Sequence, residues 1–352
     1  MSQAIKLLSK LVAIPSPSGQ EEAASRFFAS ALPAIGWERV EIDESGSVIA
    51  GRGTGERELV LMGHIDTVPG GPPHLLERDV LWGRGSVDAK GPLCAFAVTG
   101  GRVPLEPNWR ITLIAATGEE ADSRGALFNI PKHHPAACLI GEPSGADGVT
   151  IGYRGCLRLL LSAEDGGAHR SGDSGPLTAV VRTGSDMLAF IEEADDPNLP
   201  IIRRASGAVA SMLGQENGHR RAKMELDIRI PEGDTPHEWF LIMKEKAVAR
   251  NVELKMTFAT PPHVVDKNNP AAWALRLAIR KNALSPRILA KGGTADFNLA
   301  AAWDCPMAAY GPGDSKLDHT AEERLSLSEY QDSLKVLSDA LPLIMQNAPR
   351  QG

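Results

Sequence analysis

The sequence has no apolar run approaching the ~20 residues that cross a bilayer, no excess of basic residues, and only four cysteines in 352 residues. The first absence excludes a helical membrane protein. With 37 Lys and Arg against 44 Asp and Glu, a formal charge of −7 argues against nucleic acid as the main partner. Cys94, Cys138, Cys156 and Cys305 are far apart and lie mostly among apolar neighbours, so neither a CxxC knuckle nor a disulfide framework is expected, and all four read as reduced core residues. The opening segment is broken by Pro15 and Pro17 and carries no small-residue cleavage site, which points to a cytoplasmic protein. Repeats and low-complexity tracts are absent. So is the GxSxG elbow of a serine hydrolase, and GRGTGE (51–56) leads directly into another strand, where a dinucleotide-binding turn would open a helix.

What is present is alternation. Helical periodicity over 2–12 and 20–32 is followed by β-rich runs at 47–51, 58–65, 109–117 and 136–142, with an apolar helix over 91–98. Such alternation predicts an α/β fold with a mixed, largely parallel sheet flanked by helices. From about Arg154 the texture becomes β-α-β-β-α-β, and the first texture resumes after TPPHVVDKNNP, with helices near 270–281 and 326–346. The expected organisation is a catalytic domain of residues 1–153 and 263–352, with a small α/β lid or dimerisation domain, 154–262, inserted in it.

Polar residues interrupt the apolar runs at strand ends. In LMGHIDTVP (61–69), His64 and Asp66 are two apart, so an extended strand projects both to one face. WGRGSVDAKGP (82–92) places Asp88 in a glycine-rich loop, ATGEEADSRG (116–125) ends a strand with Glu119 and Glu120, LIGEPSG (139–145) ends another with Glu142, and KLDHTAEERL (316–325) carries His319. Each alone is compatible with a turn, a cap or a solvated loop. Together they sit where open α/β sheets bind ligands. Carboxylate oxygens and imidazole nitrogens suit a zinc-like cation, and one shared carboxylate lets five side chains hold two ions.

The ordered set HxDTVP, GRGxxDxKG, GEE, GEP, GGTxD and HTxEE, spanning about residues 8–345, resembles the co-catalytic dizinc amidohydrolases and peptidases that include acetylornithine deacetylase and succinyl-diaminopimelate desuccinylase. The resemblance implies a zinc-exopeptidase-like fold and two divalent ions per chain, Zn or Co. His64 and Glu142 would hold one ion, Glu120 and His319 the other, with Asp88 bridging. Asp66 would orient His64, and Glu119 would be the general base. His169, in GGAHRSG, resembles a lid histidine that stabilises the oxyanion, often across a homodimer. Arg229 matches a position that binds the substrate's α-carboxylate, and Gly292, Gly293 and Thr294 would line the same pocket. Asn217 resembles a lid asparagine, but its spacing to Arg229 is short. The compact lid resembles the branch that releases lysine or ornithine from an amino-group carrier protein. An acetylornithine deacetylase, a related N-acyl amino acid deacylase and a noncatalytic metal-binding protein are the alternatives. An acidic carrier would need a basic patch, for which Arg203, Arg204, Arg220, Arg221 and Lys223 are candidates.

Overall fold

The computed structural model describes residues 2–167, 174–215 and 218–349. They fall into two compact units: Met1–Ile151, Val265–Leu289 and Leu299–Gly352 form the first, Gly152–Val264 and Ala290–Asn298 the second.

The sheet of the first unit is built on runs such as Leu59-Val60-Leu61-Met62, all inaccessible to solvent. A strand apolar at every position has no wet face, which is the mark of a parallel strand covered on both sides. Arg57–His64 accordingly lies between Trp109–Ala116 and Ala137–Gly141, parallel to both, and Met307–Ala309 continues the parallel set. Val48–Arg52 with Arg39–Ile42 on one side, and Gly148–Tyr153 on the other, add antiparallel strands. The fold is thus mixed α/β with a largely parallel central sheet. Helix Lys90–Gly100 is buried at every position, as expected of a helix apolar all round. It packs against the sheet and the helices Gln3–Val12 and Leu327–Asn347. Three short strands, Leu75–Glu77, Val80–Trp82 and Arg324–Ser326, form a separate small sheet. Hydropathy alone does not predict them, because three residues carry no readable alternation.

The second unit has the chain order expected for it: strand Gly155–Asp165, helix Gly175–Ala194, strands Ser206–Gln215 and Arg220–Ile230, helix Pro236–Val248 and strand Glu253–Thr260. Its antiparallel sheet is ordered Ser206–Gln215, Arg220–Ile230, Gly155–Asp165, Glu253–Thr260. Period-2 burial places Leu157, Leu159, Leu161, Met224, Leu226 and Ile228 in a core with Val180, Met187, Trp239 and Met243 of the helices. Thr235 and Glu238 close a reciprocal capping box on the second helix. The edge strand Ser206–Gln215 is exposed along nearly its whole length, with Leu213 at 71%.

Candidate metal centre

His64 is the last residue of the central strand Arg57–His64 and is almost wholly buried. Its Nδ1 lies 3.0 Å from the backbone carbonyl of Asp66 and 3.5 Å from that residue's Oδ1, and its Nε2 lies 3.2 Å from Asp88 Oδ1. Asp66 does more than face the imidazole. Its carboxylate, inaccessible to solvent, accepts from Ser18 Oγ (2.7 Å) and from the backbone N–H groups of Glu119 and Glu120 (3.1 Å each). The turn carrying those two glutamates is therefore hung on the same carboxylate as the histidine. Gly118 makes the turn possible: its φ of +76° is left-handed, and a Cβ there would lie 2.6 Å from Asp122 Oδ1.

His319, left-handed at φ +61°, closes the other side. Its Nε2 lies 3.1 Å from Asp88 Oδ2 and 2.9 Å from Glu120 Oε1. Asp88 thus stands between two imidazoles, one on each oxygen. His64, Asp88 and Glu120 each offer a ligand atom, all within 4.8 Å of one another. Glu142 follows strand Ala137–Gly141 and is buried; the Gly63–Gly141 register sets it level with His64 at the strand ends.

The electrostatics match a cation site. Burial opposes a charged His64, but hydrogen bonds to Asp66 and Asp88 and the charge of Glu119 outweigh it and hold the imidazole well above its ordinary pKa. Asp88 and Glu120 raise His319 to about 10. Burial would raise Asp66 and Asp88, yet the histidines beside them keep both carboxyls below the usual range. A field that favours protons on two imidazoles also favours a divalent cation among them, and the donor set of imidazole and carboxylate suits zinc.

Two groups at this centre carry no role in the sequence reading. Glu323, wholly buried, accepts from the N–H groups of Val87 (3.0 Å) and Asp88 (3.1 Å). Lys90, the buried first residue of helix Lys90–Gly100, donates to the carbonyls of Leu11 (3.3 Å) and Ile14 (2.7 Å), and burial lowers its pKa to about 8. Both belong to motifs already conspicuous in the sequence, GRGxxDxKG and HTxEE, whose spacing was the available signal.

The remaining candidates lie in the second unit. Arg229 Nε sits 3.2 Å from Asp227 Oδ1. Arg154, buried, holds the glycine loop: its Nε donates to Gly292 O (2.6 Å) and its Nη1 to Arg204 O (2.8 Å). Thr294 spends its hydroxyl hydrogen on Arg154 O (2.9 Å), so toward a ligand it presents lone pairs. A Cβ on Gly293 would meet nothing within 4 Å. His169 and Asn217 lie outside the described residues. One expectation is corrected. Arg220 is 2% exposed and paired with Asp165, so it belongs to the interior and not to a docking patch; Arg204 is likewise tied to Asp195. Arg221 and Lys223 do face outward.

Residues 60–342 match the family described as Peptidase family M20/M25/M40. The chain is 36% identical over 346 residues to a protein of Deinococcus radiodurans named LysW-lysine hydrolase, covering 96% of this chain and 95% of the relative. It is 30% identical over 352 residues to a LysW-lysine/LysW-ornithine hydrolase of Saccharolobus islandicus, covering 98% and 97%. Among solved structures it resembles an M20 family metallo-carboxypeptidase of Sulfolobus solfataricus, with a TM-score of 0.82 at 16% identity over 98% of this chain and 100% of that one. That likeness is one of fold.

Proposed function

The chain belongs to Peptidase family M20/M25/M40 and is a hydrolase; from that premise we propose that it releases lysine or ornithine from an amino-group carrier protein by hydrolysing the amide that joins them. The observation that carries this reading is the identity of 36% over nearly the whole of both chains with a LysW-lysine hydrolase. We place the reaction in the cytoplasm; among the described residues no helix is long and apolar enough to cross a membrane.

In this reading His64 and Glu142 would hold one divalent ion and Glu120 and His319 a second, with Asp88 contributing to both, and zinc or cobalt would be the metal. Such ions supply Lewis-acid polarisation of the amide carbonyl and make a nearby water more acidic. The chain's own residues do the rest. The Glu119 carboxylate takes a proton from the attacking water and delivers it to the nitrogen of the departing amine. Asp66 holds Glu119 in place through the backbone amide, so the base and the ligand beside it move together. His169 donates a hydrogen bond to the developing oxyanion. Arg229 grips the α-carboxylate of the released amino acid, while the N–H groups of Gly292 and Gly293 and the Thr294 oxygen line the pocket. The inserted second unit serves as lid and as the contact of a homodimer, a role supported by its exposed edge strand Ser206–Gln215. Arg221 and Lys223 offer positive charge to an acidic carrier, whereas Arg203 is paired with Glu232.

The test is a panel of carrier-linked lysine, acetyl-lysine, acetyl-ornithine and succinyl-diaminopimelate offered to the zinc- and cobalt-loaded enzyme. Preference for carrier-linked lysine, weakening as salt rises, is the expected result. Equal or better turnover of the small amides would make the protein a small-molecule deacylase.

A further inference from the structure

Arg84 and Glu323 are 239 residues apart in sequence and meet in the interior, Arg84 Nη1 lying 2.5 Å from Glu323 Oε2. The Glu323 side chain is inaccessible and that of Arg84 is 12% exposed. Neither can take part in hydrolysis as described, and neither is a ligand of the group around Asp88. Their other hydrogen bonds give the pair its meaning. Glu323 Oε1 accepts from the backbone N–H of Asp88 itself, and from that of Val87. Arg84 Nη2 donates to the carbonyl of Thr320 (3.2 Å), the residue after His319. The two ends of one ion pair thus grasp the backbones that carry two of the candidate ligands.

A buried ion pair is weak evidence of net stabilisation, because desolvating two charges cancels most of their attraction. Its geometry is another matter. A guanidinium fork directs two N–H groups at fixed angles, and here one tine holds Glu323 while the other holds the His319 loop. Asp88 and His319 come from loops whose flanking strands, Val80–Trp82 and Arg324–Ser326, are paired, with the Gly83 N–H donating to the Glu323 carbonyl, but His319 itself sits on left-handed backbone in an exposed segment beyond that ladder. The backbone pairing reaches only Gly83 and Glu323, short of Asp88 and His319, whose Oδ2 and Nε2 lie 3.1 Å apart, and the ion pair spans the remainder. We infer that the Arg84–Glu323 pair is a positioning device that registers Asp88 against His319 and thereby sets the affinity of the Asp88–Glu120–His319 group for its cation. The inference rests on the metal reading above.

The experiment is calorimetric titration of zinc into metal-free protein, for the wild type and for Arg84→Met, Arg84→Lys and Glu323→Gln, with the urea midpoint, kcat and KM measured alongside. Partners that orient metal ligands typically alter affinity by 10–100-fold, so Arg84→Met should weaken the looser zinc event by at least ~10-fold and lower kcat at nearly constant KM. Arg84→Lys keeps the charge but cannot hold Glu323 and Thr320 with one planar fork, and should recover only part of the loss. Glu323→Gln keeps an acceptor for the Val87 and Asp88 amides and tests the charge alone, so the idea remains testable if Arg84→Met does not fold. As a control, Arg110→Met, which breaks a pair with Glu58, should leave zinc affinity alone. Zinc affinities within twofold of the wild type in Arg84→Lys and Glu323→Gln, whatever their urea midpoints, would overturn the positioning role. A wild type that binds no zinc would overturn the metal reading along with it.

Discussion

Replacing Asp66 by Asn changes one atom and should disturb the whole centre. The carboxylate has four partners: Ser18 Oγ and the Glu120 amide on Oδ2, the Glu119 amide and His64 Nδ1 on Oδ1. It is ionised, since the histidine and these donors hold its pKa down against the effect of burial. Asparagine offers one acceptor oxygen and one NH2 group. If the NH2 takes the Oδ1 place it meets the Glu119 N–H head-on. If it takes the Oδ2 place, Ser18 can turn round to accept, but the Glu120 N–H loses its acceptor. The second arrangement costs less, and still leaves one buried donor unsatisfied, at about 1–3 kcal/mol, while a charge-assisted bond becomes a neutral one, at about 1 kcal/mol. The expected loss of stability is therefore about 2–4 kcal/mol, read as a fall in the urea midpoint of metal-free protein. Loss of the carboxylate behind His64 should also weaken zinc binding by ~10–100-fold. Ser18→Ala, which deletes one donor and keeps the charge, should cost only about 1 kcal/mol with little effect on zinc. An Asp66→Asn protein that unfolds and binds zinc like the wild type would refute the view that this carboxylate supports both the imidazole and the glutamate turn.

Glu119→Gln keeps shape but cannot accept a proton, so kcat should drop roughly 10²–10⁴-fold with metal content intact; near-normal turnover would remove it from the mechanism. Arg229→Met should reduce kcat/KM for acetyl-lysine by at least ~10-fold, as expected for a charge-assisted bond of about 1.5–3 kcal/mol, and matter far less for an analogue with an amidated carboxylate. A third expectation concerns acid stability. Burial works against ionised Glu58, but His133, Thr112 and Arg110 outweigh it and lower its pKa from 4.5 to about 2. A depressed carboxyl stabilises the fold above its unfolded pKa, so the contribution of roughly 3 kcal/mol is complete above pH 4.5 and disappears as pH falls toward 2. The stability margin of wild type over Glu58→Gln in urea should shrink across that window; a margin that does not vary with pH would dismiss the explanation.

The elements that could be read from sequence are those whose own residues contain the signal. LVLM is apolar at consecutive positions because both faces of its strand are covered, and Arg220–Ile230 alternates because only one face is. The candidate ligands were visible because imidazoles and carboxylates at the ends of apolar runs are costly unless used. What could not be read depends on residues distant in the chain. Nothing in SPSG says that Ser18 reaches Asp66, and nothing near Arg84 names Glu323 as its partner. The fate of Arg220 is similar. Next to Arg221 it looks like surface charge, and only the pairing of its strand with Gly155–Asp165 brings Asp165 against it and turns it inward.

The discontinuity of the first unit has a consequence in time. Glu120 and His319 are separated by 199 residues, and a ribosome adding about 5–20 residues per second takes about 10–40 s to travel from one to the other. Through that interval Asp88 and Glu120 lack the imidazole of His319, and the strand Met307–Ala309 has yet to join Ala137–Gly141. The four-residue group around Asp88 therefore cannot be complete before His319 has been made, however early its other three members are in place.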